Sequence, residues 1–139
     1  MESSPQKSSN LEIMDKHRLR KSFGSAFVGL FRLLRDEQNA RIHTFITGLV
    51  FIAAIVVGIN RIEAAILFMA VILVFSMEII NTAIEDLLDH LHPQQHRTVA
   101  RIKDALSGAV LITAIIATVV AGLIFLPHIL DAMQSLKII

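Results

Sequence analysis

The chain has no cysteine, and only 18% of its 139 residues are charged. The absence of cysteine excludes disulfide bridges and thiolate chemistry. The shortage of charge argues against a soluble domain, because soluble domains carry about 25% charged residues. The chain has instead 54% hydrophobic residues and a mean hydropathy of +0.64. This composition predicts an integral membrane protein, and the length fits a single domain.

The N-terminal segment lacks the apolar core of a cleavable secretory signal. Residues 1–15 are rich in serine, glutamine and proline, and we expect a disordered polar tail there. Residues 18–36 then carry an apolar face at helical spacing. The members of this face are Phe23, Phe27, Leu30, Phe31 and Leu34. Because basic residues flank the face, the segment is too charged to span a bilayer and is predicted to be an amphipathic helix in the membrane interface.

Three long apolar stretches follow. At about 1.5 Å per residue, each is long enough to cross a hydrocarbon core of about 30 Å. We place the transmembrane helices at 42–60, 64–88 and 105–126. Pro127 is expected to end the third helix, which leaves 128–139 as a short tail and 16–127 as the membrane domain. The sequence therefore predicts an all-α membrane protein with one interfacial and three transmembrane helices.

Basic residues are distributed unevenly around these spans. Eight of the thirteen lysines and arginines precede the first span, and three more lie between the second and the third. By the positive-inside rule, the N-terminus and the loop between spans two and three face the cytoplasm. The chain is therefore predicted to be a multi-pass protein of the cytoplasmic membrane.

The second span ends in a stripe of polar side chains on one helical face. The stripe consists of Glu78, Asn81, Glu85 and Asp89, spaced i, i+3, i+7 and i+11. Glu78 lies about 21 Å along the axis from Ala64, and so roughly one to two turns inside the cytoplasmic boundary. A carboxylate at that depth costs a few kcal/mol and is by default a functional candidate. The alternative, that Glu78 and Asn81 only hydrogen-bond neighbouring helices, is weakened by the number of polar residues in the stripe.

The oxygen atoms of the stripe suit Mg²⁺, which is usually bound by one or two carboxylates together with substrate phosphates. Cations that could pair with phosphates lie at the same boundary, namely Arg41 before the first span and Lys103 before the third. The sequence has no glycine-rich phosphate loop, so a nucleotide would be held by helices. Asp36 and Glu37 either add acidic ligands or only end the preceding helix in water.

Three sequence blocks resemble the small prokaryotic diacylglycerol kinase family. The stretch "EIINTAIEDLLD" at 78–89 resembles the signature of that family, with Leu88 as a modest departure. Two further blocks match in the same order, "EQNARIH" at 37–43 and "KDALSGAVL" at 103–111. The resemblance covers about residues 18–126. It implies a homotrimeric enzyme that transfers the γ-phosphate of ATP to a lipid alcohol, with active sites between subunits at the membrane surface.

The resemblance also implies roles for individual residues. Glu78 takes the place of the general base, and Glu37 and Glu85 take the places of the acids that hold the metal ion. Three further residues match positions implicated in holding the base, the phosphates and the nucleotide, and they are Asn81, Lys103 and Asp104. Arg41 joins them as a phosphate-binding candidate on the basis of its charge and position alone.

Other functions stay open beside this one. The stripe could line a cation or proton pathway in a small oligomer, although the outer half of the second span lacks polar residues. An inert assembly subunit would need neither the acids nor the basic residues. The lipid also stays open, with diacylglycerol and undecaprenol as the candidates. The motifs at 41–43 and 92–93 resemble the undecaprenol branch more closely. We interpret the histidines at 90, 92 and 96 as solvated, and we expect no nucleic-acid partner.

Overall fold

The computed structural model describes residues 5–94 and 96–136, with side chains over 18–94 and 96–135. The helices are α1 (Pro5–Asp36), α2 (Gln38–Val57), α3 (Arg61–Leu91) and α4 (Arg97–Leu136). No strand occurs in these described ranges. The helices α2, α3 and α4 are each long and apolar enough to cross a membrane, and α3 packs most extensively against α4. The predicted all-α membrane fold is confirmed.

Most large apolar side chains of the described residues lie on the outside of the helices. The buried apolar residues are few, and they are Leu33, Ala40, Ala54, Leu67, Val74, Val110 and Ile124. A membrane-spanning helix does not need to bury its apolar side chains in protein, because lipid is as apolar as leucine. On α1, the predicted apolar face is also outward, since Phe23, Phe27 and Phe31 are 65–70% exposed. This is the face that an interfacial helix presents to lipid.

A tight turn joins α2 to α3. Gly58 ends α2 with a φ of 76°, which only glycine adopts readily, so the first span ends at Val57 rather than at residue 60. Asn60 Oδ1 accepts hydrogen bonds from the backbone N–H groups of Ile62 and Glu63. In return, the backbone N–H of Asn60 donates to Glu63 Oε2 at 2.8 Å. This capping box satisfies the free donors at the start of α3 and sets α2 and α3 antiparallel.

Polar contacts join α3 to α4 near both ends of α3. Lys103 Nζ donates to Asp89 Oδ1 at one end, and His128 Nε2 lies 3.6 Å from Glu63 Oε2 at the other. The two contacts are about 26 residues apart on α3, or ~39 Å of helix. Because this exceeds a hydrocarbon thickness of about 30 Å, both contacts can lie at the two membrane surfaces while the apolar part of α3 spans the interior.

The start of α1 differs from the sequence prediction. Residues 5–15, which we expected to be disordered, are helical, and residues 1–4 lie outside the described residues. Proline suits the first position of a helix because its missing N–H needs no partner there. No glycine or further proline interrupts the chain before Gly24, and residues such as glutamine, lysine, leucine and glutamate favour helix.

The end of α4 also differs from the prediction, because Pro127 does not end the helix. α4 continues to Leu136, so 128–136 of the predicted tail are helical. A helix in lipid tolerates an internal proline, since an irregular backbone there would leave more polar groups without partners. The continuation carries His128 to its contact with Glu63, which a helix end at residue 127 would not provide.

Candidate functional site

The polar stripe of α3 becomes more exposed toward the end of the helix. Glu78 and Asn81 are 1% and 7% exposed, Glu85 is half-buried, and Asp89 is exposed. Two hydrogen bonds hold the stripe together. Asn81 Nδ2 donates to Glu85 Oε1 at 3.2 Å, and Asp89 accepts from Lys103 on α4. The stripe therefore runs from the interior of the bundle out to its polar end, as its spacing predicted.

Two oxygen atoms of the stripe are buried without a hydrogen-bond partner among the described residues, Glu78 Oε2 and Asn81 Oδ1. An unpaired buried polar group costs about 1–3 kcal/mol, and more when it is charged. If these side chains only joined helices, their oxygens would accept hydrogen bonds from a neighbouring helix. Within the described ranges they do not, which favours a ligand-binding site over a purely structural role.

The pairing of α2 with α3 brings Glu37 to the stripe. The rings of Phe51 and Phe68 pack with their centroids 6.5 Å apart. The two helices are antiparallel and have the same rise per residue. Fourteen residues before Phe51 on α2 is Glu37, and fourteen residues after Phe68 on α3 is Thr82, so the two residues lie at about the same level. Both residues line one groove of about 740 Å³ between α1 and α3, which supports this register. Thr82 follows Asn81 of the stripe by one residue, and Glu37 therefore lies near that level of α3.

Three carboxyl groups lie in the same region of the molecule. Glu37 and Glu85 are close enough to Glu78 for their charges to act on its carboxyl group. Glu37 is half-buried at the start of α2, where its side chain makes no capping hydrogen bond and is free for another role. Carboxylates in this arrangement repel one another unless a cation or a proton lies among them. The geometry therefore favours binding of a cation at the water-facing end of the stripe.

The two basic residues predicted to bind phosphate, Lys103 and Arg41, differ in whether they contact the stripe. Lys103 lies at the start of α4, before its apolar stretch, and its hydrogen bond with Asp89 raises the pKa of the Lys103 amine. It therefore stays charged at neutral pH. Arg41 Nη1 donates to the carbonyl oxygen of Arg35 at 2.6 Å, which ties the start of α2 to the end of α1. In the described part of the chain, no hydrogen bond or salt bridge joins Arg41 or Asp104 to the stripe.

The oxygen donors fit Mg²⁺ as part of a shared site. No group of three histidine, aspartate or glutamate side chains among the described residues is arranged to hold a metal ion by itself. Mg²⁺, however, commonly takes one or two carboxylates and completes its coordination with water and substrate phosphates. Glu37 and Glu85 can supply that number beside the unpaired oxygens of Glu78 and Asn81. The donor set fits Mg²⁺ bound with a nucleotide rather than a closed protein cage.

Sequence reasoning did not assign two residues that the structure places at the site. His43 lies close enough to Glu78 to act electrostatically on its carboxyl group, and Asp86 lines the groove of about 740 Å³ together with Glu37. A count of the helical register outward from the turn at 58–60 would have indicated His43. Asp86 lies one residue outside the stripe and had no comparable signal.

The face of α3 that carries the stripe is apolar toward the start of the helix, before Glu78. Leu67 and Val74 are buried there, at 2% and 6% exposure. A pathway for ions needs polar groups through the whole membrane, because each unpaired charge in hydrocarbon is costly. The structure therefore gives no support to the alternative of a cation or proton pathway.

The chain is similar to a family of prokaryotic lipid kinases and to several of their named members. A family model described as prokaryotic diacylglycerol kinase matches residues 24–125. The chain is 37% identical over 113 residues to the diacylglycerol kinase of Synechocystis sp., an alignment that covers 81% of this chain and 65% of that protein. It is 36% identical over 111 residues to the undecaprenol kinase of Bacillus subtilis, covering 80% of this chain and 90% of that protein. It is 30% identical to the diacylglycerol kinase of Escherichia coli K12, covering 91% of that protein. The chain thus spans slightly less than two thirds of the Synechocystis protein and most of the other two.

Proposed function

The chain belongs to the prokaryotic diacylglycerol kinase family, and we propose that it is an ATP-dependent lipid kinase of a prokaryotic cytoplasmic membrane. It transfers the γ-phosphate of ATP to the hydroxyl group of a membrane lipid alcohol, either diacylglycerol or undecaprenol. The observation that carries the proposal is the carboxyl group of Glu78. It is buried in a membrane-spanning helix beside Glu37 and Glu85, and its Oε2 has no partner in the described ranges.

Glu78 is the general base in this proposal. Its carboxylate accepts the hydroxyl proton while the lipid oxygen bonds to the γ-phosphorus of ATP. The bond from that phosphorus to the β–γ bridging oxygen breaks, ADP leaves, and the proton passes from Glu78 to water. Phosphoryl transfer depends mainly on positioning and on neutralisation of charge. A general base commonly contributes about 10²–10⁴-fold to the rate.

Glu37 and Glu85 are the residues that would hold Mg²⁺. When bound, the ion neutralises part of the charge on the ATP phosphates. Asn81 orients Glu85 through the hydrogen bond from its Nδ2, and its Oδ1 is buried without a partner among the described residues. The side chain of Asn81 therefore links the metal-holding acid to the base one turn away.

Lys103 is the main phosphate-binding candidate. Its amine is held at the end of the stripe by Asp89 and would exchange this carboxylate for a phosphate oxygen when ATP binds. Asp104 and Arg41 are proposed to contact the nucleotide from the same water-facing end. This role for Arg41 requires release of its present hydrogen bond to the backbone of Arg35.

We further propose a homotrimer with its N-terminus and the α3–α4 loop in the cytoplasm. The resemblance of the motifs at 37–43, 78–89 and 103–111 to a family of homotrimers supports this assembly. A methyl group added at Gly108 would meet no atom within 4 Å, so packing inside the chain does not require glycine at this position. Gly108 leaves room for a neighbouring chain or for the nucleotide. The excess of basic residues before the first span supports the orientation.

Undecaprenol is the lipid that the local motifs favour. The Arg-Ile-His at 41–43 and the His-Pro at 92–93 resemble the undecaprenol branch of the family. The Bacillus subtilis relative named undecaprenol kinase is matched over 90% of its length. The Synechocystis relative, named diacylglycerol kinase, is equally similar in identity, so the choice rests on experiment.

The test is phosphorylation of lipids in mixed detergent micelles by the purified full chain with radiolabelled ATP and Mg²⁺. Diacylglycerol and undecaprenol are offered separately and in competition. The Glu78→Gln variant, which keeps the size of the side chain and removes the base, serves as the matched control. We expect label in one or both lipids with the wild type and almost none with the variant. Label in neither lipid would refute the proposed function, and an active Glu78→Gln variant would refute the role of the base.

A further inference from the structure

His43 lies on the face of α2 that packs against the stripe. The ring of Phe51 on α2 packs against that of Phe68 on α3. His43 lies eight residues before Phe51, and Ser76 lies eight residues after Phe68, so His43 and Ser76 are at the same level of the antiparallel helices. Glu78 follows Ser76 by two residues, about 3 Å of helix rise. The half-buried imidazole of His43 is therefore nearly level with the Glu78 carboxyl across the α2–α3 contact.

A cavity supports this placement. His43 lines a cavity of about 240 Å³ between α2, α3 and α4. On α3 the cavity is lined up to Val74, which lies one turn before Glu78 on the same face. The residues of α4 that line it are small and uncharged: Ala114, Ala117, Thr118 and Ala121. No residue of α4 that lines the cavity carries a charge, and the hydroxyl group of Thr118 donates to the carbonyl oxygen of Ala114.

Three ionisable side chains lie close enough to Glu78 to act electrostatically on its carboxyl group. Two of them are the carboxylates of Glu37 and Glu85, and the third is the imidazole of His43. The described residues give the imidazole no hydrogen-bond partner, and they give Glu78 Oε2 none either. An N–H donor and a buried carboxylate oxygen, each without a partner, thus lie at the same level of neighbouring helices.

We propose that His43 is a positioning residue for Glu78. In the working site an imidazole N–H donates a hydrogen bond to Glu78 Oε2, which holds the carboxylate in one orientation. The other carboxylate oxygen is then directed at the lipid hydroxyl whose proton it accepts. The imidazole itself transfers no proton. This inference rests on the proposed lipid kinase activity and adds a residue that orients the base.

The competing explanation is that His43 only fills space beside the cavity. The two explanations differ in what a substitution by an amide or by an alkyl group should do. Glutamine retains an N–H donor at the position, whereas leucine retains bulk and removes the donor. Thr47, one turn along the same face and lining the same cavity, offers a matched control for packing alone. Thr47→Val keeps the shape of the side chain.

The experiment measures kcat and both KM values for the full-length variants in mixed micelles. Loss of a hydrogen bond to a charged group is expected to lower kcat of His43→Leu about 10- to 100-fold, with KM for ATP within about twofold of the wild type. His43→Gln should recover most of kcat, and Thr47→Val should match the wild type. Wild-type kcat in His43→Leu, no recovery in His43→Gln, or an equal loss in Thr47→Val would each overturn the proposal.

A second measurement is independent of turnover. Thermal unfolding in detergent is compared for the wild type, His43→Leu, Glu78→Gln and the double variant. If the imidazole contacts the carboxyl, the two changes in melting temperature are not additive. Additive changes would overturn the proposed contact even if the wild type phosphorylates neither lipid. The activity of the wild type tests the proposed kinase function. The comparison of the single and double variants tests the contact between His43 and Glu78.

Discussion

Replacing Glu78 by leucine should make the protein more stable and inactive at the same time. The residue is 1% exposed, and its Oε2 has no hydrogen-bond partner among the described residues. A buried polar atom in that state costs about 1–3 kcal/mol, and more when charged. Leucine removes the polar atoms and is similar in size, so Glu78→Leu should raise the free energy of unfolding by about 1–3 kcal/mol. Loss of the base should lower kcat by about 10²–10⁴-fold.

The assay combines two measurements on the same preparation. Unfolding of the detergent-solubilised protein by dodecyl sulfate is followed by circular dichroism, and lipid phosphorylation is measured in parallel. Glu78→Gln is the companion variant, because it removes the base but keeps a buried polar group, and so should gain little stability. Ile80→Val, on an exposed position of α3 two residues away, should leave both quantities close to the wild type.

Two results would refute this reasoning. If Glu78→Leu unfolds more easily than the wild type, the contacts of the carboxyl group stabilise the protein by more than its burial costs. If the variant still phosphorylates lipid, another group accepts the proton. Higher stability together with lost activity is the pattern expected when a protein keeps an unfavourable group for its chemistry.

Three further predictions concern the neighbours of Glu78 and the turn at the opposite end of α3. Lys103→Ala should raise KM for ATP strongly, as ATP titrations would show, and an unchanged KM would exclude phosphate binding by this residue. Asp89→Asn should leave the melting temperature close to that of the wild type, because ion pairs at an exposed surface contribute little stability. Glu37→Gln and Glu85→Gln should each increase the Mg²⁺ concentration needed for half-maximal activity, and an unchanged Mg²⁺ dependence in both would rule out their role as ligands. Asn60→Ala should lower the free energy of unfolding by about 0.5–2 kcal/mol through loss of the helix cap with kcat unchanged, as melting curves and the lipid assay would show; a fall in kcat would contradict the separation of this turn from the site.

Much of the membrane architecture follows from local sequence properties. Each span is an apolar run long enough to cross the bilayer, and a helix is the structure that satisfies its own backbone there. The spacing of Glu78, Asn81 and Glu85 places them on one face of any helix that contains them. The three family motifs then indicate which of these polar residues carry chemistry, because their order and spacing resemble a known kinase family.

The contacts between helices depend on the tertiary structure. Local periodicity does not say which α2 residue lies opposite Glu78, because the register is set by the turn at 58–60 and by the packing of Phe51 on Phe68. That register brings Glu37 and His43 to the stripe. The same applies to the pairing of Lys103 with Asp89, since residues fourteen positions apart meet only when two helices pack side by side.

The end of α4 at Pro127 shows where prediction from the sequence alone fails. Proline is a reliable stop signal in water, where a freed carbonyl can bond to solvent, and the sequence alone therefore predicted a tail after it. In the structure the helix continues, and His128 reaches Glu63 at the far end of α3. The sequence by itself determined the membrane class, the number of spans and the polar stripe, because these depend on composition and spacing along one helix. The tertiary structure decided which side chains surround Glu78, because that depends on how separate helices pack.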